Sequence, residues 1–184
     1  DRKIELAKEV LASDDVINNL EIEIDDLSLK LLALYQPEAG DLRFITSFMK
    51  INSDLERIGD LAVNIAEQSI ELLKVPLLKP LIDIPRMAKA AQGMVRDSLL
   101  AFVEGDSSLA KGVCARDDEV DNLNEQIFRE LLTYVLENPK IIQRSVSLIL
   151  VARHLERIAD HATNICEDVI FMVEGKVIKH HHES

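Results

Sequence analysis

The chain has 184 residues, 47% apolar and only 4% aromatic, with six Gly, five Pro, no Trp and a formal charge of −12. Abundant Leu, Ile, Val and Ala with few turn formers favour helix–helix packing and argue against a sandwich or barrel. So acidic a surface repels nucleic-acid phosphates, which excludes nonspecific DNA or RNA binding and leaves cations and basic protein surfaces as partners.

In chain order, Ile17, Leu20, Ile24, Leu27 and Leu31 recur at three-and-four spacing and predict a helix over residues 2–34. Pro37 ends it, and a second helix is expected over 42–73. Pro76, Pro80 and Pro85 mark a connector, and a third helix over 85–104 stops at Gly105-Asp106. Two more are predicted over 108–137 and 140–174, the last closed by Gly175. Residues 177–184, with His180, His181 and His182, read as a flexible tail or tag remnant and are left out of any site.

The elements repeat. Leu55-Glu-Arg-Ile-Gly-Asp-Leu-Ala-Val-Asn-Ile-Ala-Glu67 returns as Leu155-Glu-Arg-Ile-Ala-Asp-His-Ala-Thr-Asn-Ile-Cys-Glu167, agreeing at nine of thirteen positions with an offset of 100. Upstream the offset is 103, aligning Asp14, Leu20 and Ile24 with Asp117, Leu123 and Ile127. Three extra residues therefore sit in the first copy's loop, near Gln36-Pro37-Glu38-Ala39-Gly40. The expected fold is all-α, a tandem pair of three-helix bundles. The first, residues 1–75, lacks its first helix; 76–84 connect, and 85–176 form the second. Nothing in the first copy corresponds to 85–104, so an apolar groove is expected where that helix would lie. Truncation of the chain is the favoured explanation, with a helix supplied by another protomer the alternative.

The repeat carries acids as well as apolar residues. On a wheel of about 100° per residue, Glu56, Asp60, Asn64 and Glu67 fall on one face, opposite Leu55, Ile58, Ala62 and Ile65. Glu156, Asp160, Asn164 and Glu167 do the same. On the neighbouring helices Asp14, Asn18, Glu21 and Asp25, and then Asp117, Asp121 and Asn124, form flanking stripes. Carboxylates at i and i+4 repel unless a cation lies between them, and oxygen-rich groups suit Mg, Ca, Mn or Fe. Two surface metal sites are expected: Glu56/Asp60 with Asp14/Asn18, and Glu156/Asp160 with Asp117/Asp121. The alternative is a solvated acidic face. Core packing does not explain why both copies keep the same outward acids.

Other residues read as structural. Arg57 and Arg157 suit surface ion pairs, since no glycine-rich loop supports phosphate contact. His154 and His161 have Asp54 and Leu61 opposite them in the first copy, and a packed His161 is favoured over a ligand. Cys114 and Cys166 form no CxxC, and Cys166, opposite Ala66, reads as a small buried residue. No signal-peptide pattern and no apolar run of roughly 20 residues is seen, so a soluble cytoplasmic protein is expected.

The segments Leu55–Glu67 and Leu155–Glu167, with Gln36-Pro37 through Asp41-Leu42-Arg43-Phe44-Ile45 and the ending Asp168–Gly175, resemble the PhoU family over essentially the whole chain. That resemblance implies two three-helix bundles with paired E(D)xxxD motifs binding multinuclear clusters of iron, zinc or a similar metal. Glu56/Asp60, Glu156/Asp160 and Asp117/Asp121 fit the pattern; Asn18 departs from it, so the first site is expected to hold metal less well or to use Glu21. The resemblance further implies a non-enzymatic, dimeric adaptor that restrains phosphate uptake and the phosphate-starvation response. Its partners would be the phosphate ABC transporter ATPase and the phosphate-sensing histidine kinase, which would place it near the membrane. A di-iron carboxylate enzyme is the rival, but it needs inward Glu and a Glu-x-x-His motif, and both are missing. A histidine phosphotransfer module is the second rival, using His154 or His161.

Overall fold

The computed structural model describes residues 4–178. Six α-helices follow in order: α1 Ile4–Tyr35, α2 Ala39–Leu73, α3 Asp83–Glu104, α4 Ser107–Cys114, α5 Asp117–Glu137 and α6 Ile142–Glu174. A 3₁₀ turn, Pro139–Ile141, precedes α6, and the described residues contain no strand.

Local chemistry sets these boundaries. Pro37 stops α1, and Gln36 and Ala39 flank the turn at φ 46° and 43°. Gly105 ends α3 in the left-handed region at φ 63°. Asp106 then starts α4, its carboxylate accepting from the Ser108 and Leu109 backbone N–H groups at 2.9 Å. The connector between α2 and α3 is held by the Lys79–Glu130 ion pair and by Arg144, which donates to the Pro76 carbonyl at 3.2 Å.

The single helix expected over 108–137 is two. After Cys114 the chain turns through Ala115 and Arg116, and α5 restarts with Asp117, Asp118 and Glu119 in its first turn, where the helix dipole favours acids. Arg116 is drawn aside by Asp97 on α3, Nη2 donating to Oδ2 at 2.8 Å. With that break, α1 corresponds to α4 plus α5, and α2 to the 3₁₀ turn plus α6. Gln36, Pro37 and Glu38 are the three residues between α1 and α2.

Helix α6 is the axis of the fold, packing against α2, α3, α4 and α5. Its buried face is broad, taking in Leu148, Ala152, Ala159, Ile165, Cys166 and Val169 among others, with the acidic stripe on the side left open. It runs antiparallel to α2. Lys50 pairs with Asp168 at 3.2 Å, and four residues on, Asp54 meets His161 at 2.7 Å, so one number rises as its partner falls. The packed His161 expected from sequence is thus buried against Asp54, with Asn164 Nδ2 also reaching that carboxylate at 3.4 Å.

Helix α1 packs against α2 and buries only Ala7 and Ser28. Its apolar stripe is half uncovered: Leu20 is 51% and Leu27 57% exposed. In the second unit α3 covers α6; on α2 the corresponding place is an apolar groove of about 910 Å³, lined by Val10, Ile58, Ile65, Leu99 and Leu155 among others. Of the expected tail, Ile178 packs against the core; residues 179–184, the three histidines included, lie outside the described residues.

One close contact differs between the copies. A Cβ on Gly59 would lie 3.2 Å from Ile17 Cδ1, so α1 and α2 approach tightly there. The repeat places Val120 and Ala159, both buried, at these positions: one methyl group has moved from one helix to the other. Gly59→Ala gains up to about 1 kcal/mol of helix propensity but displaces Ile17. In urea melts, the pair Ile17→Val with Gly59→Ala should be about 0.5–1 kcal/mol more stable than the two single changes sum to. Strict additivity would show that the contact is not tight.

Candidate metal centre

The acids expected on the surface are there, and helix register decides which of them meet. Asp117 and Asp121 are one turn apart on α5, and Asp160 faces them from α6. One carboxylate oxygen from each lies within 4.8 Å of the others, with Asp121 and Asp160 open to solvent. Partial burial, followed by the charges of Asp121 and Asp160, raises the Asp117 pKa, against a hydrogen bond from Thr163. Burial and then Asp121 raise that of Asp160, opposed by Arg153 and Arg157. Asp117 Oδ1 is buried without a protein hydrogen-bond partner. Three mutually repelling carboxylates with an unpartnered oxygen are a donor set that a hard cation fits.

Glu156 does not join this group. It lies one turn before Asp160, but Arg153 Nη1 donates to its Oε1 at 2.6 Å. Burial raises its pKa first, with Arg153 opposing and Asp160, Asp121 and Asp117 adding to the rise.

The first copy holds a looser counterpart. Glu56 and Asp60 from α2 face Asp14 and Glu21 from α1 closely enough for burial, then Asp60, Glu21 and Asp14, to raise the Glu56 pKa, with Arg57 opposing. Asp14 Oδ1 is buried and unpartnered, as is the corresponding Asp117 Oδ1. Asn18 instead fills Asp14's other oxygen, its Nδ2 donating to Oδ2 at 3.3 Å. Among the described residues no three metal-ligating side chains converge here as they do at Asp117, Asp121 and Asp160.

Sequence reasoning passed over Thr163 and Arg153. Val63 and Ser53 stand opposite them, so the repeat gives no signal; the i,i+3 spacing of Arg153 and Glu156 was the available clue. His154 is half-buried with Nδ1 unpartnered, and burial and then Arg157 lower its pKa. A neutral, partly covered imidazole is poorly placed as an exposed phosphoryl carrier.

Comparison with known proteins follows the same lines. The PhoU domain family matches residues 1–69 and 84–169. A phosphate-specific transport system accessory protein PhoU homolog of Aquifex aeolicus is 51% identical over 181 residues, 98% of this chain and 82% of that one. The crystal structure of PhoU from Pseudomonas aeruginosa superposes with a TM-score of 0.93 at 40% identity, covering 96% of this chain and 85% of that one. The phosphate transport system regulatory protein PhoU from Streptococcus pneumoniae gives 0.87 at 28% identity, over 97% and 84%.

Proposed function

The chain belongs to the PhoU family, and on that premise we propose that it is a non-enzymatic regulator of phosphate transport whose acidic helix faces hold metal. The observation that carries the metal reading is the convergence of Asp117, Asp121 and Asp160, with Asp117 Oδ1 buried and unpartnered. These three residues, with Glu156 as a fourth candidate, would hold the cation, and Glu56, Asp60, Asp14 and Glu21 a second. An all-oxygen donor set favours iron or manganese over zinc, which prefers His and Cys. A bound cation would relieve the repulsion and fix α5 against α6, stiffening the face between them.

Relatives named as transport accessory and regulatory proteins support the phosphate role. In this reading the protein bridges the ATPase of a phosphate ABC transporter and a phosphate-sensing histidine kinase, working in the cytoplasm as a dimer and damping uptake and the starvation response. Among the described residues no helix is long and apolar enough to cross a membrane, so contact with the membrane would run through these partners. The test is a pull-down from phosphate-replete cells with wild-type protein and with Asp117, Asp121 and Asp160 changed to Asn, alongside elemental analysis. Metal in the wild type, loss of the share held by these three residues in the variant, and reduced recovery of ATPase and kinase are expected. Full recovery by the variant that has lost this share of the metal would remove the α5–α6 acidic face from the mechanism.

A further inference from the structure

A cation already stands beside the second acidic group. Arg153 Nη1 donates to Glu156 Oε1 and lies 2.6 Å from Oε2 as well, without the alignment of a second hydrogen bond. The Glu156 side chain is 13% exposed and that of Arg153 59%, so the carboxylate is largely covered while the arginine paired with it stays mostly open to solvent. Its charge also reaches Asp160, where it opposes the rise caused by burial and Asp121. The first copy has Ser53 at this position, and its Glu56 has no ion pair among the described residues. There the nearest filled donor position is taken by the neutral Asn18 amide on Asp14.

Resting on the metal reading above, we infer that Arg153 is a built-in counter-ion that competes with metal for the second acidic group and sets its affinity. Without metal the guanidinium neutralises part of the charge and holds Glu156 away from the three aspartates. A cation entering among Asp117, Asp121 and Asp160 meets a like charge nearby, and recruits Glu156 as a further donor only when Arg153 swings into solvent. The exposed, flexible arginine stem allows that swing. Exchange between an internal and an external cation shifts half-occupancy of this group to higher metal concentration than three fixed carboxylates would need, while the first group has no such brake.

The experiment is calorimetric titration of metal-free protein with Mn²⁺. A background carrying Glu56→Gln and Asp60→Asn ensures that only the second group fills. Arg153→Ser, which installs the first copy's residue, should tighten binding about fivefold, the scale of a partly exposed ion pair. In the presence of Glu156→Gln the same substitution should give a distinctly smaller gain, because the carboxylate it releases is gone. Thermal melts of the metal-free forms confirm folding, with Arg153→Ser at or below its parent. Unchanged or weaker binding by Arg153→Ser, with the parent still binding, overturns the role of Arg153 and leaves the metal reading intact. No Mn²⁺ binding by parent, Arg153→Ser or wild type overturns both.

Discussion

With the first acidic group silenced by Glu56→Gln and Asp60→Asn, Asp160→Asn should abolish metal-dependent stabilisation while making the metal-free protein slightly more stable. Removing one of three clustered like charges relieves repulsion worth a few tenths of a kcal/mol. The same change replaces an anionic donor by a weaker, neutral one. At a metal concentration about a hundredfold above Kd, that one-site parent gains about 3 kcal/mol, or roughly 6–12 °C in Tm for a chain of this size. The variant should gain almost none of it. The pH dependence has a definite sign. Asp117, Glu156 and Asp160 have pKa values raised in the folded protein, by burial first and then chiefly by neighbouring acids. Between the ordinary carboxylate pKa and the raised value, the folded state holds more protons than the unfolded state. The contribution of these groups is therefore favourable at the acid end of that window and lost as pH rises through the folded pKa. Metal reverses the trend, since it displaces those protons and binds better as pH rises. Thermal melts with and without Mn²⁺ across the window measure both slopes, and an undiminished metal shift in Asp160→Asn would contradict the assignment.

His161→Leu should be the most damaging single change outside the apolar core. The imidazole Nδ1 lies 2.7 Å from Asp54 Oδ1 between α2 and α6, and both side chains are buried. Without His161, the Asp54 carboxylate keeps only the long contact from Asn164 at 3.4 Å. An uncompensated buried carboxylate costs about 3 kcal/mol, some 6–12 °C of Tm. Changing Asp54 to Leu as well removes the stranded charge and should recover most of the loss, because two apolar residues fit this interface as readily as the polar pair. Guanidinium unfolding of the two single variants and the double variant measures the coupling. A double variant as unstable as His161→Leu would show that shape, and not the stranded charge, sets the cost.

Much of the fold was legible because two signals coincide, helical periodicity within each element and self-similarity between them. The break between α4 and α5 was not. Cys114-Ala115-Arg116 carries no Pro or Gly to announce it, and the cause is a contact made by Arg116 to Asp97, nineteen residues upstream. The acidic faces were readable from a wheel, which describes one helix at a time. Which acids meet depends on how α5 lies against α6, and that brought Asp117, Asp121 and Asp160 together while Arg153 held Glu156 aside. Asn18 showed directly that the first group departs from the second, and its amide does occupy an oxygen of Asp14. The uncovered stripe of α1 follows from the same comparison: Leu20 aligns with Leu123 of α5, which is buried in a unit that also has α3.

The antiparallel crossing of α2 and α6 has a consequence for history. Adding 100 to one member of the pair Asp54·His161 and subtracting it from the other gives His154 and Leu61, the positions that an internal two-fold at the crossing would pair, each unit offering the other the same face. Such a face is self-complementary, the arrangement by which two identical molecules would associate. In a symmetric pair of separate chains, every substitution at the crossing lands twice, and an acid facing a histidine must do so at both ends. Joining the two units end to end lifted that restriction. One end could keep a buried polar latch while the other drifted to histidine and leucine, and the latch now marks direction across an interface that would otherwise read the same both ways.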